Sequence, residues 1–152
     1  MSLKKSSYAS TRGVAPAPGK NFHAVLPQER LTRLARKRPN ILLIGPTSFT
    51  RAALKQIEPL VTQPIVSWQP QETPGVPEGS YGTLLIHRLD LADSDQQAQL
   101  CEWFDTRPCH IQVVSTSAAP LFAFVEKGTF LETLYYRLNH VCLTSDGFDR
   151  AL

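Results

Sequence analysis

The chain has 152 residues, of which 42% are apolar and 19% are charged, and its formal net charge is +3. This length suits one domain with a sizeable core, and the composition is ordinary for a globular protein. No apolar run approaches the ~20 residues of a membrane-spanning helix, and the N-terminus lacks the apolar stretch of a secretory signal, so we expect no membrane partner. The three cysteines are odd in number and unpatterned, which favours a reducing, cytoplasmic setting.

The charge is unevenly distributed. Residues 1–38 hold nine Lys or Arg and one acid, whereas residues 39–152 hold seven Lys or Arg and twelve acids. Such asymmetry is typical of a basic arm that contacts nucleic acid or an acidic partner, but also of a solubilising tail. Residues 1–21 are rich in Ser, Ala, Pro, Gly and Lys without periodicity, which predicts a disordered basic N-terminal segment before a folded domain at residues 22–152.

For the first half of the folded region, the sequence predicts two helices and two strands. The pattern predicts a helix over Pro27–Arg38, with Leu31 and Leu34 facing inward and Pro39 ending it. Ile41–Ile44 is a continuous apolar run and predicts a buried parallel strand. A helix follows from about Phe49 to Leu60, with Ser48 as its N-cap, and then a short strand over residues 65–68.

The second half repeats this alternation after a loop rich in proline and glycine at residues 69–80. The predicted elements are strands at residues 83–86, 111–115 and 140–143 and helices at residues 93–104, 120–127 and 131–138. We predict Asp93 or Ser94 as the cap of the first of these helices, and a short polar tail after Thr144. Alternating strands and helices predict an α/β fold with a mainly parallel sheet and right-handed crossovers.

Several segments carry a family resemblance in the right order. They are ILLIGPTSFTRA after the first strand, GTLLIHR at the third, the helix DSDQQAQLCEWF, and a final run with Gly128, Phe130 and LYYRLN at 134–139. This pattern resembles the ATPase domain of bacterial sigma-54-dependent transcription activators, a branch of the AAA+ P-loop ATPases. The resemblance covers residues 40–143, about two thirds of the chain. It implies a five-stranded parallel sheet of order 5-1-4-3-2 flanked by helices.

The phosphate-binding loop of that family is altered here. A P-loop reads G-x-x-x-x-G-K-[ST], and its glycines let backbone N–H groups surround the phosphates. Gly45 stands at the first glycine, but Ser48 and Thr50 occupy positions that should be small and flexible, Arg51 replaces the lysine, and Ala52 follows it. A guanidinium binds phosphate well but does not reproduce the lysine geometry. We therefore predict a degenerate nucleotide loop.

The acidic pair at the end of the third strand is also missing. In the family, Asp-Glu holds magnesium and prepares the attacking water, whereas this chain has His87 and Arg88. Two groups that can carry positive charge at a site for a dication argue against hydrolysis. Asp90 lies beyond the strand and is not expected to substitute for the acids.

Other family positions are mostly changed. The polar sensor after the fourth strand aligns with Ala118, with Ser117 as a weak substitute, and the first interface arginine aligns with Leu131. Arg137 aligns with the second, so it either acts in trans on a neighbouring subunit or forms an ion pair on a helix surface. About three dozen residues separate Gly45 from Gly82, without the sigma-contacting Gly-Ala-Phe-Thr-Gly-Ala loop. We also expect that the helical lid and a helix-turn-helix domain are lacking.

The remaining candidate sites favour structural interpretations. Cys101, Cys109 and His110 lack the spacing of a zinc site, so we expect no metal. Trp68, Trp103, Phe122 and Phe124 are predicted to be packing residues and not a platform that stacks bases.

The sequence therefore predicts a degenerate, non-catalytic P-loop-like domain that regulates bacterial transcription by binding protein, as a monomer or small oligomer, without a cofactor. Two alternatives stay open. One is weak binding of ATP or ADP through Gly45–Arg51 without hydrolysis. The other is a nucleic-acid adaptor that uses the basic N-terminal region, with the cations Lys4, Lys5, Arg30, Arg33, Arg36, Lys37 and Arg38.

Overall fold

The computed structural model of the chain describes residues 26–72, 75–77, 81–106, 111–145 and 149–151. The helices and strands follow one another as α1 Gln28–Lys37, β1 Ile41–Ile44, α2 Thr47–Ile57, β2 Ile65–Trp68, β3 Thr83–Ile86, α3 Ser94–Thr106, β4 Gln112–Ser117, α4 Leu121–Glu126, α5 Glu132–Leu138, β5 Val141–Thr144 and β6 Asp149–Ala151. Short 3-10 turns lie at residues 58–60 and 89–91. None of the helices in these ranges is long and apolar enough to cross a membrane.

The strands form one sheet of order β2-β3-β4-β1-β5-β6. The first five strands pair in parallel, and β6 pairs antiparallel with β5. The predicted five-stranded parallel sheet of order 5-1-4-3-2 is therefore confirmed. Strand β6 was not predicted: part of the expected polar tail after Thr144 pairs antiparallel with β5.

Each face of the sheet is covered by its own layer of helices. Successive side chains of a strand point to opposite faces, so Leu42 joins the cluster under α3, α4 and α5, whereas Ile41 and Leu43 join the cluster under α1 and α2. The continuous apolar run of β1 is thus explained by burial on both faces. The sheet is the middle layer of a three-layer α/β domain.

Several element boundaries and side-chain positions differ from the predictions. Helix α2 begins at Thr47, and Pro46 takes the cap position that was predicted for Ser48. Strand β4 continues to Ser117, because Thr116 and Ser117 keep pairing with β1 although they are polar. Trp68 is buried as predicted, whereas Phe122 packs against the Tyr135 ring but is 41% exposed and so is not a core residue.

The start of α3 agrees closely with its sequence signal. The Asp93 carboxylate accepts a hydrogen bond from the Gln96 N–H at 2.8 Å, and the Gln96 side-chain oxygen accepts one from the Asp93 N–H at 3.0 Å. This reciprocal pair is a capping box, which satisfies two backbone donors at the helix start. Asp93 is therefore the cap of α3.

The predicted disordered segment, residues 1–21, lies outside the described residues.

Candidate functional site

The two altered motifs meet at the carboxyl edge of the sheet, on either side of β4. The Gly45 N–H, after β1, donates a hydrogen bond to the Ser117 carbonyl oxygen at 3.0 Å. The Arg88 N–H, after β3, donates one to Thr116 Oγ1 at 3.0 Å. Because β4 lies between β1 and β3, the structure brings together the loop that follows Gly45 and the His87–Arg88 pair. Ligands of open α/β sheets generally bind at this edge.

The connection from β1 to α2 contains only Gly45 and Pro46. Helix α2 begins at Thr47, and the N–H groups of Phe49 and Thr50 both donate to the Pro46 carbonyl oxygen, at 3.0 and 3.1 Å. Thr50 Oγ1 donates to the Thr47 carbonyl oxygen at 3.2 Å. The residues that occupy the second half of the P-loop motif are therefore part of a hydrogen-bonded helix.

Gly45 is buried under close neighbours. A Cβ atom at this position would lie 2.8 Å from Ser145 Cβ and 2.9 Å from Phe49 Cδ2. Real Cβ atoms essentially never approach so closely, so a side chain at residue 45 would force its neighbours to move. The glycine is thus explained by packing of α2 and the end of β5 against β1.

Two of the four predicted loop residues face solvent. Ser48 and Arg51 are exposed, whereas Gly45 and Thr50 are buried. Among the described residues, Arg51 has neither an ion pair nor a hydrogen bond from its guanidinium. Arg51 is therefore the cation of this loop that remains available to a ligand.

His87 and Arg88 occupy different environments. His87 is half-buried, and burial lowers the pKa of its imidazole, which favours the neutral form. Arg88 has a left-handed backbone with φ of 54°, which is uncommon for a residue other than glycine. Its guanidinium Nε and Nη2 donate to the two carboxylate oxygens of Asp90, at 3.1 and 2.8 Å.

Asp90 is the central hydrogen-bond acceptor of this edge, a role that the sequence pattern did not predict. Its side chain is only 6% exposed, and its Oδ1 also accepts the Ala118 N–H at 3.2 Å. Burial by itself would raise the pKa of Asp90, but the hydrogen bonds from Arg88 and Ala118, with the positive charge of Arg88, lower that pKa overall. The short Arg-x-Asp spacing was the available signal, but only the 3-10 turn at residues 89–91 makes the pairing evident.

The residues at the sensor position are engaged locally. The Ser117 hydroxyl donates to the Ala119 carbonyl oxygen and accepts the Ala119 N–H at 3.2 Å. Ala118 offers its N–H to Asp90, as described above. The end of β4 thus links Gly45 on one side with the Arg88–Asp90 pair on the other.

Arg137 lies at the opposite, amino edge of the sheet. Its carbonyl oxygen accepts a hydrogen bond from Asn40 Nδ2 at 2.8 Å, and Asn40 immediately precedes β1. Its guanidinium pairs with Asp105 at 2.6 Å and donates to the Cys101 carbonyl oxygen at 3.2 Å. Asn40, Phe104, Arg137 and His140 line an open cleft of about 170 Å³. The structure therefore separates Arg137 from the carboxyl-edge residues.

No group of three His, Cys, Asp or Glu side chains within the described ranges could hold a metal ion. Cys109 and His110 lie outside those ranges, and Cys101 is half-buried with its sulfur 4.0 Å from Thr133 Oγ1.

Comparison with protein families gives one match. The model of the sigma-54 interaction domain matches residues 25–145. No curated protein sequence is significantly similar to the chain.

Solved structures support the same fold. NtrX from Brucella abortus in complex with ATP superposes with a TM-score of 0.59 at 18% identity, over 76% of this chain and 33% of that chain. The P-loop NTPase domain of a sigma-54 transport activator from E. coli gives a TM-score of 0.52 at 14% identity, over 76% of this chain and 97% of that one. The chain spans about a third of the length of NtrX.

Proposed function

Because this chain belongs to the sigma-54 interaction domain family, we propose that it is a regulatory domain of bacterial transcription that binds a protein partner and does not hydrolyse ATP. The chain is related to sigma-54 activators of the P-loop type. The main observation behind this proposal is the start of α2, where a hydrogen-bonded helical turn occupies the position of the phosphate-binding loop.

A P-loop holds phosphates with backbone N–H groups that point into the loop and make no other hydrogen bond. In this chain, the N–H groups of Phe49 and Thr50 already donate to Pro46 within the first turn of α2. Freeing them would unwind that turn and expose Phe49, which is only 3% exposed. This arrangement does not fit a tightly bound triphosphate.

The magnesium position gives a second, independent argument. A magnesium ion bound with nucleotide needs carboxylate or hydroxyl oxygens that are free to coordinate it. Asp90 is the nearest acid in sequence, but both of its oxygens accept hydrogen bonds from the Arg88 guanidinium. The ion pair places a positive charge where the metal would need a negative one. The residues present therefore do not fit a magnesium nucleotide.

A partly exposed apolar surface supports the protein-binding part of the proposal. We define the α4–α5 patch as Phe122, Leu131, Tyr135 and Tyr136. The Phe122 and Tyr135 rings are 5.6 Å apart, and the Tyr135 and Tyr136 rings are 5.3 Å apart. Phe122, Leu131 and Tyr136 are each more than 40% exposed. Aromatic residues are enriched in the contact surfaces of protein complexes.

Weak nucleotide binding without hydrolysis is the alternative that Arg51 favours. Its exposed guanidinium lies in the second turn of α2, at the same edge as Ser48. A guanidinium can bind a phosphate group in solution without a wrapped loop. Such binding would depend on Arg51 and not on magnesium.

The test is calorimetric titration of the full chain with ATP and with ADP, with and without magnesium, together with thermal unfolding. A nucleotide with a Kd of about 100 μM stabilises the folded protein by roughly 2.7 kcal/mol when its free concentration is a hundred times that Kd. For a chain of this size, that corresponds to an increase of about 5 to 10 °C in Tm. We expect no binding heat at this affinity, no such increase and no release of phosphate.

Each result discriminates between the two interpretations. Binding tighter than about 100 μM that requires magnesium would refute the proposal. Weaker binding that Arg51→Ala abolishes and Lys55→Ala preserves would establish the alternative. Lys55 is a matched control, because it is another exposed cation of α2, one turn further along.

A further inference from the structure

The two helical layers carry opposite charge. Residues 28–38 and 47–60, which contain α1 and α2, hold seven Lys or Arg and two acids. Residues 93–106 and 118–140, which contain α3, α4 and α5, hold six acids and two Lys or Arg. Because the sheet separates these layers, the basic residues form one face of the domain. We call it the basic face, and its cations are Arg30, Arg33, Arg36, Lys37, Arg38, Arg51 and Lys55.

Five cations of the basic face have no ion-pair partner in the described part of the chain, whereas one of the two cations on the acidic side, Arg137, has one. On the acidic side, Arg137 is paired with Asp105, and at the carboxyl edge Arg88 is paired with Asp90. On the basic face, no carboxylate in the described part of the chain forms an ion pair with Arg33, Arg36 or Lys37. The same holds for Arg51 and Lys55. These five side chains are all exposed and keep their charge available to a partner.

Helix α1 lies beside the C-terminal end of α2. The Leu26 N–H, just before α1, donates to Gln56 Oε1 of α2 at 3.1 Å. At the other end of α1, Arg38 donates to Thr62 Oγ1, which follows α2. Arg33, Arg36 and Lys37 are spaced i, i+3 and i+4, so they share one side of α1.

We propose that the basic face binds the phosphate backbone of duplex DNA without reading the base sequence. Five of its seven cations are arginines, and the planar guanidinium suits bidentate contact with phosphate. Helix α1 has ten residues and is therefore about 15 Å long. DNA offers one negative charge per about 1.7 Å of its axis, so phosphates are available along the whole helix.

The packing of α1 argues against insertion into a membrane surface. A helix that lies on a membrane buries its apolar side among the lipids. The apolar side of α1 is already used within the protein, because Leu34 is 4% exposed and Leu31 packs against the same cluster. The side chains of α1 that are exposed to solvent are all polar or charged.

The composition of the basic face also favours nucleic acid over an acidic protein. Interfaces with DNA are more polar and more positively charged than those between proteins. The large exposed apolar residues of the described chain, Tyr81, Leu91, Phe122, Leu131 and Tyr136, all lie outside α1 and α2. In the sequence, residues 1–25 hold four further Lys or Arg and no acid.

Counterion release sets the expected size of the effect. The logarithm of the affinity for B-DNA falls with the logarithm of salt with a slope of about −0.9 per phosphate contact. If each of the five exposed cations without an ion pair contacts one phosphate, the predicted slope is about −4.5. Arg33, Arg36 and Lys37 of α1 account for about −2.7 of it. Loss of one contact should weaken binding about tenfold at 50 mM salt, whatever the DNA sequence.

The experiment is fluorescence anisotropy of the full chain with a labelled 20-base-pair duplex between 50 and 200 mM sodium chloride. We compare Arg36→Gln with Lys127→Gln, an exposed cation of the acidic side, so that both variants have the same net charge. We expect about tenfold weaker binding for Arg36→Gln and an unchanged Kd for Lys127→Gln. The triple variant Arg33→Gln, Arg36→Gln, Lys37→Gln should lose about 2.7 from the salt slope while its Tm stays within ~2 °C of that of the wild type.

Three outcomes would overturn the proposal. The first is equal weakening by Arg36→Gln and Lys127→Gln, because net charge alone would then decide binding. The second is an unchanged salt slope for the triple variant, which would assign binding to residues outside α1. The third is equal competition by polyglutamate or by phosphatidylserine vesicles at matched charge, which would identify a partner class other than DNA.

Discussion

Replacing Asp90 with asparagine tests the organisation of the carboxyl edge. The asparagine keeps the size of the side chain and an oxygen that can accept the Ala118 N–H, which lies 3.2 Å from Asp90 Oδ1. It loses the negative charge and places an amide donor against the Arg88 guanidinium, whose Nη2 is 2.8 Å from the carboxylate. Asp90→Asn therefore removes the ion pair without opening a cavity.

The expected loss of stability is moderate. Hydrogen bonds to charged groups contribute roughly 1.5 to 3 kcal/mol each. Arg88 is 42% exposed, so water can solvate its guanidinium after the change, and the pair must be discounted accordingly. We therefore expect Asp90→Asn to lower the free energy of unfolding at pH 7 by about 2 kcal/mol, or Tm by about 4 to 8 °C.

The effect should depend on pH with a definite sign. The pKa of Asp90 is lower in the folded protein than in the unfolded chain, where it is about 3.9. Its contribution is therefore present above the unfolded pKa and is lost as pH falls through the folded pKa. The difference between wild type and Asp90→Asn should be constant from pH 7 to 5 and then shrink below about pH 4.

The assay is urea denaturation followed by circular dichroism, at a series of pH values from 7 to 3. Glu102→Gln is the control, because Glu102 is an exposed acid of α3, and surface changes of this kind usually stay within about 0.5 kcal/mol. The reasoning fails if Asp90→Asn matches Glu102→Gln at pH 7. It also fails if the deficit of the asparagine variant persists unchanged at pH 3.

Two further variants test other parts of the structure. Gln97 is 3% exposed and joins α3 to the segment before α5, because its side chain donates to the Ala92 and Thr129 carbonyl oxygens and accepts the Leu131 N–H at 2.9 Å. Gln97→Ala should cost about 2 kcal/mol in urea denaturation, and a loss no larger than that of the exposed Gln99→Ala would contradict this role. For the α4–α5 patch, Tyr136→Ser should reduce the affinity for a partner isolated with the wild-type chain roughly tenfold, measured by surface binding. Tyr81→Ser, an exposed tyrosine elsewhere, should have no effect, and equal behaviour of the two variants would exclude the patch.

The strands could be predicted largely from local sequence, whereas their order was implied by the family resemblance. Short apolar runs such as Ile41–Ile44 are buried on both faces of the sheet, so they contain no alternation and stand out from their polar surroundings. The α3 start was equally visible, because a capping box uses side chains only three residues apart. Strand β6 was not visible, because its pairing with β5 uses backbone groups that any sequence provides.

For the candidate site, too, some features follow from the sequence and others only from the tertiary structure. The sequence by itself determined which groups are present: Arg51 at the lysine position, His87 and Arg88 at the acidic pair, and a concentration of cations in the first 38 residues. Tertiary structure alone decided how they are arranged, because the contacts join residues that are distant in the chain. Gly45 meets Ser117 and Ser145, and Asp90 accepts the Ala118 N–H while it pairs with Arg88. The separation of basic and acidic helices arises from the same cause, since the sheet order assigns each helix to a face, and no local pattern encodes that assignment.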